Sequence, residues 1–525
     1  MPDSFDVVIV GGGHNGLVAA TYLAKARRRV LVLERRPFVG GAAVTEDLAP
    51  GFRVPTGADD VGLLRPEVVD DLNLTARGLR FLPLDPEVTA VGDHAAIRIW
   101  RDAWRTQADL MAKSPRDAEA YPRFADLMTA FATALDPLVT MTPPNVAEPS
   151  LGEQMSLLRR ALAVRRLGKA TMQQMLRVPP MPVRDFLNEW FETELLKASL
   201  AVDALVGTFQ GPFSPGTAFG LIPRFSPAVR GRGWCFVKGG MGGLANALAS
   251  AARDAGVTIR TEAEVRRITS RNGRVTGVDL ANGERIEAPT VASNADPKRT
   301  FLHLVDPEEL SPEFLVRVRN FQTTGVVAKV NFALDHLPKF PVVGDGMPAH
   351  FRISPSLEYL ERAYDDAKYG HASRAPFLEA FVPSILDPDL APSGKHVLSC
   401  LVQYAPYDLA SGNWDKEREK LGDQVAGLLD EHMPGFEKSV LARQVLTPRD
   451  LEDRFGLTGG HIYHGEMTLD QMLVLRPVPG WAQYRTPIEG LYLCGSGAHP
   501  GGGISGAPGY NAARQILADS TRRAG

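Results

Sequence analysis

Phe5-Asp6-Val7-Val8-Ile9-Val10-Gly11-Gly12-Gly13-His14-Asn15-Gly16 decides the fold of this chain. Its first half is a short β-branched apolar run, the composition of a strand covered on both faces in a parallel sheet. Its second half has the spacing Gly11-x-Gly13-x-x-Gly16, and Leu17, Ala20, Leu23 and Ala24 follow at helical intervals. A second apolar run, Val30 to Leu33, ends at Glu34, 18 residues past Gly16. An acid about 20 residues on is where a dinucleotide site accepts hydrogen bonds from a ribose. Gly11 permits the tight turn, Gly13 lets backbone approach a pyrophosphate, and Gly16 lets helix pack close to strand. His14 and Asn15 sit inside the turn, where the N–H groups of a helix N-terminus receive the pyrophosphate charge.

Glu34 speaks for a free ribose 2′-hydroxyl, because a carboxylate repels the 2′-phosphate of NADP. Arg35 and Arg36 soften that exclusion. The Gly40-Gly41-Ala42 turn just past the second strand has no task in a NAD domain, whereas the longer FAD needs further close backbone approach. FAD is therefore the expected cofactor.

Three apolar runs broken by Asn272-Gly273 and Asn282-Gly283 read as an antiparallel meander, since both residues of an Asn-Gly hairpin turn take positive φ. Before it, Gly239-Gly240-Met241-Gly242-Gly243 opens a helix with Leu244, Leu248 and Ala251 on one face; after it, Val291 to Ser293 reads as a buried strand. Near the C-terminus, Leu491 to Cys494 is a strand running into Gly495-Ser496-Gly497-Ala498-His499-Pro500-Gly501-Gly502-Gly503-Ile504, with a helix expected from about Tyr510. This second strand, loop and helix places another helix N-terminus against the same ligand, suited to the charge of a reduced flavin.

Between these segments, residues 136–150 are Pro-rich and read as a break, and 151–230 as a helical insertion with Phe186, Trp190, Phe191, Leu195 and Leu196 on its apolar side. Leu157 to Lys169 mixes Leu with five basic side chains, the pattern of an amphipathic helix for an anionic membrane face and equally of a plain solvated helix.

The chain has 525 residues, enough for two large domains, and 58 basic against 61 acidic side chains, which argues against a nucleic-acid binder. Cys235, Cys400 and Cys494 are too far apart for a redox pair or a zinc site, and no histidine pair has metal-ligand spacing. The expectation is a cytoplasmic protein with no metal, at most peripheral at a membrane. No stretch reaches the ~18 apolar residues of a membrane span.

These motifs resemble the FAD-dependent amine oxidase and phytoene desaturase superfamily, in its carotenoid-oxidoreductase branch. The resemblance rests on Gly11 to Gly16, Glu34 to Gly41, Val237 to Leu244, Val291 to Pro297 and Leu491 to Ala513. Gly459-Gly460-His461-Ile462-Tyr463-His464-Gly465-Glu466 and Arg476-Pro477 point within it to the group named for a pyridine nucleotide-disulfide oxidoreductase domain and to desaturase-like carotene ketolases. The resemblance implies an α/β, two-domain flavoprotein fold: a Rossmann-like βαβ unit with a β-meander, plus a mixed substrate domain with the helical insertion. The FAD-binding domain would comprise 1–90, 235–300 and 465–525, and the substrate domain 91–234 and 301–464. It further implies non-covalent FAD held by Gly11, Gly13, His14, Asn15, Gly16, Glu34, Arg35, Gly40, Gly41, Ala42, Val265, Gly495, Gly502, Gly503 and Ile504, with His499 and His464 as catalytic candidates. The expected chemistry is hydride transfer between flavin N5 and a small lipophilic, polyene or isoprenoid-like substrate in an apolar chamber, by desaturation, saturation or ketolation. Amine oxidation and non-catalytic binding of a lipid-modified partner are the alternatives on the same fold.

Overall fold

The computed structural model describes residues 4–146, 149, 151–166, 168–226, 233–344 and 346–524. Val7–Val10 is buried at every position and lies at the centre of a five-stranded parallel sheet, flanked by Val291–Ser293 and Leu491–Leu493 on one side and by Val30–Leu33 and Thr258–Arg260 on the other. Strands covered on both faces need continuous apolar runs, which is why each could be read from composition. The helix His14–Lys25 leaves the central strand and packs against Met241–Asp254 and the C-terminal helix Ala507–Ala524, so the two ends of the chain share one core. That last helix begins at Ala507, one turn earlier than expected, because Ser505 Oγ accepts the Ala507 N–H at 3.2 Å.

The meander is present as Val265–Arg271, Arg274–Leu280 and Arg285–Glu287. Its two turns differ. Asn272 (φ 54°) and Gly273 (φ 71°) both take positive φ as expected. In the second, only Gly283 does (φ 89°), its N–H returning to the Leu280 carbonyl at 3.0 Å, so that turn is one residue longer.

A seven-stranded sheet builds the other half of the molecule, in the order Val440–Leu446, Val327–Leu334, His396–Gln403, Leu378–Phe381, His350–Ile353, Val88–Val91, Ala96–Ile99. Val88–Val91, which straddles the expected border at residue 90, pairs with His350–Ile353 and lies wholly in this sheet. The sheet's two faces are unlike. Val330, Phe332, Phe351, Ile353, Leu378, Ala380, Leu398 and Cys400 pack with Trp414, Leu421, Val425 and Leu429 of the helix Trp414–His432. The opposite face is also buried but polar: cross-strand pairing sets Lys329 beside Leu401, Leu401 beside Glu379 and Glu379 beside Arg352 in one row, with Asn331, Ser399, Phe381 and His350 in the next.

The helical region departs from its reading at the start. Helix Pro115–Val139 runs through Pro122 and Pro137, so the Pro-rich break begins only at Thr140. Phe124 centres an aromatic cluster with Phe186, Trp190, Phe191 and Phe225 that joins this helix to Val183–Asn188 and to the segment after Glu194–Leu205. In helix Leu151–Arg166, Leu151, Met155, Leu158 and Leu162 are exposed at i, i+4, i+7 and i+11, a single apolar stripe beside exposed Arg159 and Arg165; Leu167 lies outside the described residues. Among the described residues no helix is long and apolar enough to cross a membrane. All three cysteines are free and buried.

Candidate active site

One cavity runs from the glycine turn at the carboxyl ends of the parallel strands to the polar face of the seven-stranded sheet. Gly11, Gly13, His14, Asn15, Glu34, Arg35, Gly41, Ala42, Val265, Gly503 and Ile504 line it, as does His464. Glu34 is held by its own turn: Oε2 accepts the Gly12 N–H at 2.8 Å and Oε1 that of Arg36 at 3.0 Å. A carboxylate has about four lone-pair sites, so two remain for hydroxyl donors. A Cβ on Gly13 would lie 2.6 Å from Asn294 Nδ2, and one on Gly41 3.1 Å from the Gly13 Cα, so both glycines keep a backbone-walled cradle open.

Gly16, Gly40, Gly495 and Gly502 are not part of the lining. They shape it from behind: a Cβ would lie 2.3 Å from the Gly11 carbonyl at Gly16, 2.7 Å from that of Ala43 at Gly40, 2.4 Å from that of Asn294 at Gly495, and 2.2 Å from Tyr463 Cβ at Gly502.

His499 is corrected as a catalytic candidate. Its ring is buried outside the cavity lining, and Nε2 donates to the Leu138 carbonyl at 2.7 Å while Asn511 Nδ2 donates to that of Val139 at 2.9 Å. The two side chains close the C-terminal end of helix Pro115–Val139, whose last carbonyls have no partner within the helix. His464 does line the cavity, in the left-handed region at φ 58°. Its loop is tied to the C-terminal glycine segment by Arg476, wholly buried, whose guanidinium donates to the carbonyls of Glu466 at 2.8 Å, Tyr463 at 2.9 Å and Ser496 at 2.9 Å. Burial, only partly offset by the Glu466 carboxylate, pulls the Arg476 guanidinium down to about 9.

His14, His464 and His499 are each lowered from the ordinary histidine value of 6.5 to about 4, chiefly by burial. In the unfolded chain these rings bind protons near 6.5, so the unfolded state takes up more protons between pH 6.5 and 4 and stability falls as pH drops through that interval. The urea midpoint should stay level above pH 7 and decline steadily below 6.5, with a shallower decline in His499→Gln; equal slopes in the two proteins would count against a buried neutral ring at 499.

The far end of the cavity holds what sequence reading missed. Lys329 Nζ donates to Asp59 at 2.7 Å and to the carbonyls of Pro55 at 2.7 Å and Gly57 at 3.2 Å. Burial drives the Lys329 ammonium down and the Asp59 carboxyl up, bringing the two proton affinities toward each other. Beside them Arg224 pairs with Asp60 at 2.9 Å and stacks 3.5 Å from the Trp234 ring centroid. Arg352 bridges Asp203 and Glu379, both at 2.6 Å. His350 has both ring nitrogens within hydrogen-bond distance of acceptors, the Glu87 carbonyl at 2.7 Å and Glu379 Oε1 at 3.0 Å. Burial would raise Glu379, but Arg352 and His350 outweigh it and hold the carboxyl at about 2. The expected apolar chamber is apolar along Leu63, Val206, Trp234, Val327, Phe381 and Leu401, but Asp59, Asp60, Arg224, Lys329 and Glu379 put charge into the same lining. The overlooked signal was a lone charge in an apolar strand, as in Val-Ala-Lys329-Val, His350-Phe-Arg352-Ile and Leu-Glu379-Ala-Phe, since charges on strands buried on both faces need partners.

Residues 16–517 match the family model described as flavin containing amine oxidoreductase. The chain belongs to the flavin-containing amine oxidoreductase family. It is 40% identical over 543 aligned positions to pyridine nucleotide-disulfide oxidoreductase domain-containing protein 2 of Rattus norvegicus, covering 98% of this chain and 94% of that one. It is 28% identical to a limonene dehydrogenase subunit of Castellaniella defragrans, with 98% and 94% coverage. Among solved structures, cyclohexylamine oxidase from Brevibacterium oxydans superposes with a TM-score of 0.60 at 16% identity, covering 99% of this chain and all of that one, which shows the shared fold. This flavin oxidoreductase uses FAD, and the cradle fits it: the buried His14 Nε2, Asn15 Oδ1 and His464 Nδ1 have no partner among the described residues, and all three side chains line the cavity. Gly11, Gly13, His14 and Asn15 would hold the pyrophosphate and Glu34 the ribose, with Gly503 and Ile504 closing the C-terminal side. Cys494 is buried outside the lining and burial raises its thiol, so it offers no covalent attachment there.

Proposed function

We propose that this protein is an enzyme that oxidises a carbon–hydrogen bond of a lipophilic, isoprenoid-like substrate. The observation that carries the reading is the continuity of the FAD cradle with a buried compartment walled by Leu63, Val206, Trp234, Phe381 and Leu401. A buried apolar compartment with a few placed polar groups is how a small molecule is bound and oriented. The bound flavin supplies hydride-accepting chemistry. Forming a double bond from two C–H bonds releases a proton as well as a hydride, and the Lys329–Asp59 pair at the wall is positioned to hold it. The limonene dehydrogenase polypeptide of Castellaniella defragrans is a relative whose named substrate is of this class.

Anaerobic titration of the FAD-loaded protein with isoprenoid hydrocarbons and alcohols, carotenoids, fatty acyl compounds and amines tests this. Bleaching of the flavin by a member of the isoprenoid set is expected. Lys329→Met should then slow bleaching by at least about tenfold with FAD still bound, general acid–base groups contributing ~10²–10⁴-fold. Bleaching by amines alone would replace the reading with amine oxidation, and a protein that binds lipophiles with no bleaching would make it a binding protein.

A further inference from the structure

Helix Leu151–Arg166 carries apolar surface that the described residues leave uncovered. Leu151, Met155, Leu158 and Leu162 are between 47% and 84% exposed. Successive residues of an α-helix turn by about 100°, so these four fall within an arc of about 60° and form one row about 17 Å long. A single exposed apolar side chain needs no explanation, whereas four in one row on one helix do. Basic side chains border the row. Arg159 lies about 70° to one side of its centre and Arg165 about 50° to the other, both exposed. Lys169, exposed as well, opens the next helix, Lys169–Arg177. Arg159, Arg165 and Lys169 form no ion pair among the described residues. From 151 to 169 the sequence holds five basic side chains against one acid, Glu153, in a chain whose net charge is −3.

The row and its border select the occupant. A plain solvated helix accounts for the charges and not for four apolar side chains in one exposed row. A second copy seated on the same face across a two-fold axis would set cation against cation. Nucleic acid would pair with the cations and leave the apolar row in water. A membrane span is too long for this helix, whose 16 residues reach about 24 Å against a hydrocarbon core of about 30 Å. A groove in an acidic protein encloses a helix on several sides, but this one packs beside Lys169–Arg177 and offers a single narrow face. A flat anionic bilayer needs only that face: the apolar row sinks below the headgroups, while the arginines lay their aliphatic stems along it and keep their charge among the lipid phosphates. We propose that helix Leu151–Arg166 docks the protein on an anionic lipid surface, lying in the plane of the headgroups. The docking holds whatever substrate the cavity takes.

The test is co-sedimentation of the full-length, FAD-loaded protein with phosphatidylcholine vesicles made with and without phosphatidylglycerol, at low and high salt. Binding to the anionic vesicles is expected to exceed binding to the neutral ones by at least about tenfold and to weaken as salt is added. Met155→Gln combined with Leu158→Gln and Leu162→Gln leaves every charge in place and should cut binding by at least about tenfold with flavin content unchanged. If that triple variant loses flavin, Leu158→Gln alone takes its place, with a severalfold loss expected. Arg159→Gln combined with Arg165→Gln should weaken binding to the anionic vesicles by at least about tenfold and leave the neutral ones unaffected. No binding by the unaltered protein to anionic vesicles overturns the inference and leaves an acidic protein groove as the occupant. Equal binding to both kinds of vesicle, or full binding by the triple variant, overturns it as well. So does a dimer of the unaltered protein that the triple variant dissociates, which would give the row to a second copy.

Discussion

Gly16→Ala is expected to purify as a colourless protein. The added methyl would lie 2.3 Å from the Gly11 carbonyl and 3.3 Å from Asn294 Cβ, so either the turn or the helix must move. The helix has nowhere to go. On its other side the C-terminal helix presses so closely that a Cβ on Gly509 would lie 2.1 Å from the Asn15 carbonyl. The displacement therefore falls on the turn that must present its N–H groups to the pyrophosphate. Overpacking of this kind costs about 1–3 kcal/mol, and much of it comes out of cofactor binding, because the turn is where the strain is relieved. The ratio of flavin to protein absorbance, before and after incubation with excess FAD, measures the effect. Full flavin content in the variant would sink the claim that Gly16 exists for close helix packing.

Arg352→Met carries the second large effect, behind the wall at the opposite end of the cavity, where Arg352 holds the lining residue Glu379. Methionine fills much of the arginine's volume but leaves the buried Glu379 carboxylate and the largely buried Asp203 carboxylate without their shared cation. Breaking a buried ion pair by removing one partner costs about 3–5 kcal/mol. The variant should show a urea midpoint lowered accordingly. A double variant, Arg352→Met with Glu379→Leu, should recover part of the loss, since matched apolar replacements of a buried pair are often tolerated. An unchanged midpoint in the single variant would mean that water reaches this cluster. The same change relieves Glu379 of its main counter-charge, so its carboxyl should rise from about 2 toward the value that burial favours.

The two ends of the cavity were unequally legible before folding. Gly11, Gly13 and Glu34 could be placed because the phosphate turn, its helix and the terminal acid are contiguous, and strand composition puts them together, whereas Val265 was expected only from the family resemblance. Gly503 and Ile504 were legible for the same reason, as a second strand and glycine loop. His499 misled because it sits in that loop, yet its ring turns to the Leu138 carbonyl, 361 residues earlier in the chain, a partner no local pattern announces. Lys329, Arg352 and Glu379 each interrupt an apolar strand, a pattern the sequence reading passed over. Their meaning lies in the register that lines Lys329, Leu401, Glu379 and Arg352 across four strands.

By itself the sequence determined that a dinucleotide is gripped near the N-terminus and that the C-terminal strand returns to it, because hydrogen bonding within a parallel sheet and close backbone approach impose composition locally. Only the tertiary structure decided what the dinucleotide faces. Charges that are prohibitively costly to bury singly become tolerable when strands and loops far apart in the chain deliver opposite signs to one wall, and that pairing exists only once the seven-stranded sheet has closed over the cavity.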